Sequence, residues 1–165
     1  MPLLEPAPAA TAFVLVPKPA ATWSSGGTMN TARAYGGAFG TQTAGLVAGG
    51  ETSTAVNTVE QYNGTSWTEI TEINTTRYGL EGFGDSYTSG FVTGGAPDKT
   101  QTESWNGSAW TEVSDLPQGT ERGGCAGTST AAFYVGGYKY PSPAGQTNVG
   151  YDWDGSSWST GNNIN

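Results

Sequence analysis

Two pairs of acidic side chains, Asp152 with Asp154 and Glu69 with Glu72, stand close enough along the chain to serve as general acid and general base. Glycoside hydrolysis uses two carboxyls in those roles, one kept protonated and one ionised. Neither pair has the company such chemistry usually keeps. The chain contains no histidine, which removes the commonest general base and the commonest metal ligand together. Cys125 is the only cysteine, so it has no partner within the chain for a disulfide and cannot build a thiolate metal site alone. It lies in the small-residue stretch RGGCAG, where nothing nearby would lower its pKa, and it reads as a buried small thiol. Repeated carboxylates on exposed strands are most simply solvated. The expectation is no enzyme, no catalytic residue, no metal ligand and no cofactor.

Charge narrows the partners. Six Lys and Arg against fourteen Asp and Glu give a net charge of −8. Nucleic acid is excluded as a partner, because phosphate binding needs a cationic stripe. No apolar run reaches the roughly 20 residues of a membrane span, and the longest, AFVLV at 12–16, is too short for a signal-peptide core. No membrane insertion and no signal peptide are expected. What the chain does hold in quantity is glycine, 26 of 165 residues, together with many Ser, Thr and aromatic side chains. That is the profile of short strands joined by tight turns.

The elements that would position any site come from an internal repeat. Trp23, Trp67, Trp110 and Trp158 are spaced by 44, 43 and 48 residues, and Arg33, Arg77 and Arg122 by 44 and 45. The double glycines starting at Gly49, Gly94 and Gly136 are spaced by 45 and 42. The segments AGLVAGG, SGFVTGG and AAFYVGG align, as do VEQYNGTSW, TESWNGSAW and GYDWDGSSW.

Each repeat reads as four strands. A small-residue strand follows the arginine, near 34–39, 80–83 or 124–126. An apolar strand then runs up to the double glycine, and its unbroken apolar character fits burial on both faces. The third strand ends at Tyr62, Trp105 or Trp153, and the fourth begins at Trp67, Trp110 or Trp158. Between them sits Asn63-Gly64, Asn106-Gly107 or Asp154-Gly155, the strongest short hairpin signal a sequence offers. The glycosylation-type sequons at Asn63 and Asn106 are these same turns, and a third lies at Asn74. The arginines, repeating in register, are expected to bridge neighbouring blades through carbonyls or carboxylates.

An apolar strand ending in Gly-Gly, an aromatic closing the third strand, a tryptophan opening the fourth and an arginine leading onward resemble the kelch repeats of the β-propeller class. The NGTSW turn and the Thr, Gly and Ser-rich strands depart from the usual kelch pattern. They are similar to kelch-like repeats of structural and tail-associated proteins of tailed bacteriophages, notably those infecting marine cyanobacteria. The resemblance implies an all-β chain of kelch-like β-propeller blades and localisation in a bacteriophage virion, at the tail or a fibre. It implies no enzyme here. The copper chemistry of galactose oxidase depends on histidines. The sialidase turn, Ser-x-Asp-x-Gly-x-x-Trp, is shared only at its Gly-x-x-Trp end, with Tyr62, Trp105 and Trp153 in the aspartate position.

The expected organisation is a proline-rich arm over 1–21 and a repeat domain over 22–165, with repeats at 33–76, 77–121 and 122–165. Residues 22–33 match the end of a repeat and read as one extra N-terminal strand. Three units are fewer than the 4 to 8 blades of closed propellers. Either two chains combine into a six-bladed ring or the blades stack open against other proteins, and both readings imply association. The arm, with prolines at 2, 6, 8, 17 and 19, is either a loosely held leader or a docking arm. In the second case Phe13, Val14, Leu15 and Val16 would add as a strand to a partner's sheet edge.

Two functions compete. One is a structural or adaptor component of a virion, whose partners are other virion subunits and further copies of itself. The other is a lectin-like module binding host-surface glycan through aromatics. Candidate ligand or partner contacts are the outer turn aromatics Tyr62, Trp105 and Trp153, and Tyr138, Lys139 and Tyr140 in the longest of the variable loops that follow the double glycines.

Overall fold

The computed structural model describes residues 25–139 and 145–165, so the arm residues Phe13 to Val16, and Tyr140 in the long loop, lie outside the described residues. The chain is all-β. Three four-stranded antiparallel sheets follow one another, each with its strands side by side in chain order. The first blade is built from β1 (Gly37–Thr41), β2 (Ala44–Ala48), β3 (Val59–Tyr62) and β4 (Trp67–Ile70). The second holds β5 (Glu81–Ser86), β6 (Ser89–Thr93), β7 (Thr102–Trp105) and β8 (Trp110–Glu112). After the short β9 (Thr120–Glu121) come β10 (Gly124–Gly127) and β11 (Ala132–Val135), then β12 (Tyr138–Lys139) and β13 (Gly145–Gln146), and finally β14 (Gly150–Trp153) and β15 (Trp158–Thr160). The third blade is β10-β11-β14-β15. No described sheet is closed on itself, so the blades stand as an incomplete propeller.

The hairpins sit where the Asn-Gly and Asp-Gly pairs place them, but as four-residue loops. Asn63 N–H donates to Ser66 O at 3.2 Å, and Asn106 and Asp154 make the equivalent bonds to Ala109 and Ser157. Only the glycine takes positive φ, at 92°, 94° and 97° for Gly64, Gly107 and Gly155. The residue before it acts through its side chain instead. Asn63 Oδ1 accepts the Thr65 and Ser66 amides at 3.0 and 2.9 Å, Asn106 does the same for Ser108 and Ala109, and Asp154 for Ser156 and Ser157. This is an Asx turn, and it explains why Asn and Asp alternate freely at the position.

A small fourth sheet, β13-β12-β9, was not visible as a pattern because its strands are two residues long. It elaborates a feature common to all units. Ala34 bridges Glu51, Tyr78 bridges Ala96, and Glu121 pairs with Tyr138, in each case joining the chain ahead of a blade to the residue after its double glycine. Residues 25–36, the described part of the presumed spare strand and its sequel, contain no strand. They lie along the first blade, where Gly27 O accepts Trp67 Nε1–H at 2.9 Å, just as Thr71 O accepts Trp110 Nε1–H at 3.0 Å one unit later.

Two apolar clusters join the blades. Phe39 and Leu46, opposite one another on β1 and β2, pack with Trp105 and Trp110 of the second blade. Phe83 and Phe91, opposite on β5 and β6 and stacked at 4.9 Å, face Trp153 and Trp158 of the third. Gly90 makes room for the first contact: a Cβ there would lie 2.2 Å from the Phe39 ring. Gly90→Ala is therefore expected to cost about 1 to 3 kcal/mol through overpacking, with most of the loss recovered in Gly90→Ala/Phe39→Leu. Urea unfolding of the two variants checks this; a Gly90→Ala midpoint equal to that of the parent would refute the tight fit.

Candidate functional site

The repeated arginines hold charge inside the first two blades. Arg33 Nη2 meets Glu60 Oε1 at 2.7 Å, and the same carboxylate accepts the Asn30 and Thr31 amides at 2.7 and 3.1 Å. Burial pushes the Glu60 carboxyl up, but those amides and Arg33 more than offset it and hold the group below its ordinary value. One unit later Glu103 accepts the Asn74 and Thr75 amides at 2.7 and 3.2 Å, and Arg77 Nη1 stands 3.1 Å from Glu103 Oε1. Both side chains are fully buried. The Arg77 contact is a charge pairing more than a directed bond, since Nη1 is poorly aligned and Nε has no acceptor. The Asn74 side chain also reaches Glu103 and Trp110 O, so the third sequon belongs to this staple.

Arg122 does not continue the series. Gly50 N–H donates to Arg77 O and Gly95 N–H donates to Thr120 O, so Thr120, not Arg122, occupies the arginine position of the third blade. Tyr151 stands where Glu60 and Glu103 stand, and Tyr134 fills the inner space with its hydroxyl accepting the Gly123 amide at 3.2 Å. Both charges are gone together. Arg122 instead takes a left-handed φ of 55° and lies over the rings of Tyr35 and Tyr78, at 4.7 and 5.6 Å from their centroids. Tyr35 also has positive φ, 57°, and is 53% exposed. These three residues form an aromatic and cationic cluster spanning three units at the end of the sheets that carries the variable loops. The sequence reading missed the two tyrosines; the signal was an aromatic directly after or two residues after the arginine, in RAY and RY.

The turn aromatics divide. Trp105 and Trp153 are 4% exposed, sit between blades and donate their Nε1–H groups to Tyr87 O and Ser129 O at 3.1 and 2.9 Å. Burial removes them from any ligand's reach, which corrects the expectation for these two residues. Tyr62 alone of the three stays half-exposed, tilted at 32° against Trp67 with ring centroids 5.0 Å apart, because among the described residues no blade covers that side of the first sheet. The two rings, with Gly45 and Gly64 and with Ser25, Gly26 and Gly27 along one side, line a cleft of about 530 Å³. Tyr138 and Lys139 are half-buried and spend their backbone in β12, paired with β9 and β13.

The carboxylate pairs are not brought together as acid and base. Asp154 is a turn cap, and the Ser157 and Ser156 groups bonded to it hold its carboxyl down to about 2, so it carries no proton at neutral pH. Glu69 lies on β4 opposite Glu60, and Glu72 accepts from Asn57. The carboxyl that is perturbed upward is Glu81, at the start of β5: burial raises it to about 7. It lies against Cys125, whose thiol is pushed well above its ordinary value by burial and by that neighbouring charge. A thiol so shifted is a poor nucleophile. Among the described residues no three Asp, Glu or Cys side chains converge to hold a metal ion.

No protein-family model and no curated protein matches the chain.

Proposed function

We propose that the chain is a non-enzymatic structural or adaptor module that works through protein–protein contacts, a kelch-like propeller element of a bacteriophage virion at the tail or a fibre. The resemblance of its repeats supports the virion setting. The single observation that carries the contact role is that, among the described residues, no blade packs on the apolar faces at either end of the blade stack, with Phe133 at 46% exposure on one and the Tyr62/Trp67 cleft, edged by Ser25, Gly26 and Gly27, on the other. Such surfaces on a soluble chain mark sites of association. Quantitative mass spectrometry of purified particles tests it. The chain is expected in fixed stoichiometry with the tail proteins, and its absence from washed particles would overturn the proposal.

A second reading is favoured by the cleft itself. Two adjacent aromatic faces over a glycine floor suit the apolar face of a sugar ring. A glycan array distinguishes it: reproducible binding, lost in Trp67→Ala and retained in Tyr138→Ala, supports a lectin, while a blank array removes it.

A further inference from the structure

The two interfaces inside the chain follow one rule. The forward face of a blade offers the third residue of its first strand and the residue opposite it: Phe39 with Leu46, then Phe83 with Phe91. The rear face of the next blade receives them between a small residue on its second strand and the two aromatics flanking its hairpin. The receivers are Gly90, Trp105 and Trp110, then Ala132, Trp153 and Trp158. Phe39 meets Trp110 edge-on at 6.3 Å, and Phe83 meets Trp158 edge-on at 5.6 Å.

Both halves of this arrangement recur unpaired. On the third blade's forward face Ala126 and Phe133 are opposite one another on β10 and β11, in the register of Phe83 and Phe91. Phe133 is 46% exposed, whereas its first-blade counterpart Leu46 is 1% exposed. On the first blade's rear face Gly45 is opposite Tyr62 and Tyr62 is opposite Trp67, in the register of Gly90, Trp105 and Trp110. Among the described residues a Cβ on Gly45 would meet nothing nearer than 3.4 Å, in contrast to the 2.2 Å at Gly90, so none of them takes the place of the incoming ring, although Ser25, Gly26 and Gly27 edge the cleft.

We infer that Phe133 of one copy seats in the Gly45/Tyr62/Trp67 cleft of a second copy, repeating between chains the contact the chain makes twice within itself. The occupant is a second copy because its third blade carries, in Phe133, an unpaired forward face of the kind this cleft receives. The contact is head-to-tail, so it either closes into a ring or propagates. Copies of a three-blade chain can meet the usual 4 to 8 blades of a closed propeller only at six, which selects two copies. The inference stands apart from the virion setting, since it concerns the purified chain alone.

Light scattering on the full chain after size exclusion tests it. A single species of about 34 kDa, twice the 17.0 kDa chain, is expected. Phe133→Glu and Gly45→Phe alter opposite ends and each should halve that mass while near-ultraviolet circular dichroism of the indoles stays native. Both substitutions fall on open surface, and the second does not depend on the first folding. An equimolar mixture of the two variants keeps one intact pairing and should regain the 34 kDa species, which a symmetric face-to-face dimer would not. A 17 kDa parent chain overturns the inference, whether its ends are bare or covered by its own N-terminal residues. So does a polymer series without a discrete dimer, a dimer indifferent to both substitutions, or a mixture that fails to recover.

Discussion

Glu103→Gln is expected to lower the unfolding free energy by about 3 to 5 kcal/mol, the typical effect of removing one partner from a buried ion pair. The cause is what remains. Arg77 is fully buried, its Nε already lacks an acceptor, and burial already lowers its pKa from the ordinary value. With the carboxylate gone, the guanidinium keeps the Val92 carbonyl and the charges of Glu112 and Asp115, which are exposed and screened, in a medium that solvates it poorly. The Gln oxygen can still take one of the Asn74 and Thr75 amides, so the loss is mainly electrostatic and not a collapse of the loop. Arg77→Met combined with Glu103→Gln removes both charges and keeps that acceptor. The double variant should lose at least about 2 kcal/mol less than the sum of the single changes, as coupled groups do. Urea denaturation of the four proteins closes the cycle, and strictly additive losses would show that the two side chains do not stabilise each other.

The second large effect is on pH. Burial raises the Glu81 carboxyl from 4.5 to about 7, so between those values the folded chain holds a proton that the unfolded chain releases. Stability then falls as pH rises through that window. The contribution is fully present below about 4.5 and lost above about 7, and, because the partly exposed carboxyl is screened by solvent, it amounts to about 1 to 2 kcal/mol. The groups held low act in the opposite sense. Asp154 and Glu60 contribute stability above their unfolded values and lose it as pH falls through the folded ones. The chain should therefore melt highest near pH 5 and lose thermal stability toward pH 8. In Glu81→Gln the alkaline limb should flatten, with the larger gain in melting temperature at pH 8. A parent melting temperature that is level from pH 5 to 8 would show that Glu81 is not desolvated.

The blades were legible because their signals are local. An Asn-Gly or Asp-Gly pair between aromatics, a glycine pair after an apolar run and a common spacing locate twelve of the strands within a few residues. Arg122 was misplaced because spacing alone cannot tell a side chain that enters a blade from one two residues out of register. Its missing partner was in view all along: Tyr151 stands where a staple needs a carboxylate. The burial of Trp105 and Trp153 depends on the forward face of a preceding blade, and the exposure of Tyr62 on the lack of one among the described residues. Neither is a property of the turn in which the residue sits. The same logic hid Phe133, whose apolar strand reads as buried on both faces, yet is covered on one.

The chain order of strands within each blade has a consequence for how such a protein changes size. Every four-stranded sheet takes its strands in chain order from one stretch, broken only in the third blade, where β12 and β13 leave to pair with β9, and no four-stranded sheet borrows a strand from another. Duplication of a single stretch of about 44 residues would thus add a whole blade with both of its faces already cut to match, without rewiring any hydrogen-bond ladder. Each inserted copy must still find its charges in pairs. A blade can keep Arg with Glu or lose both, as the third has done, but a copy that mutates one of them first is trapped with a buried unpaired ion until the other follows.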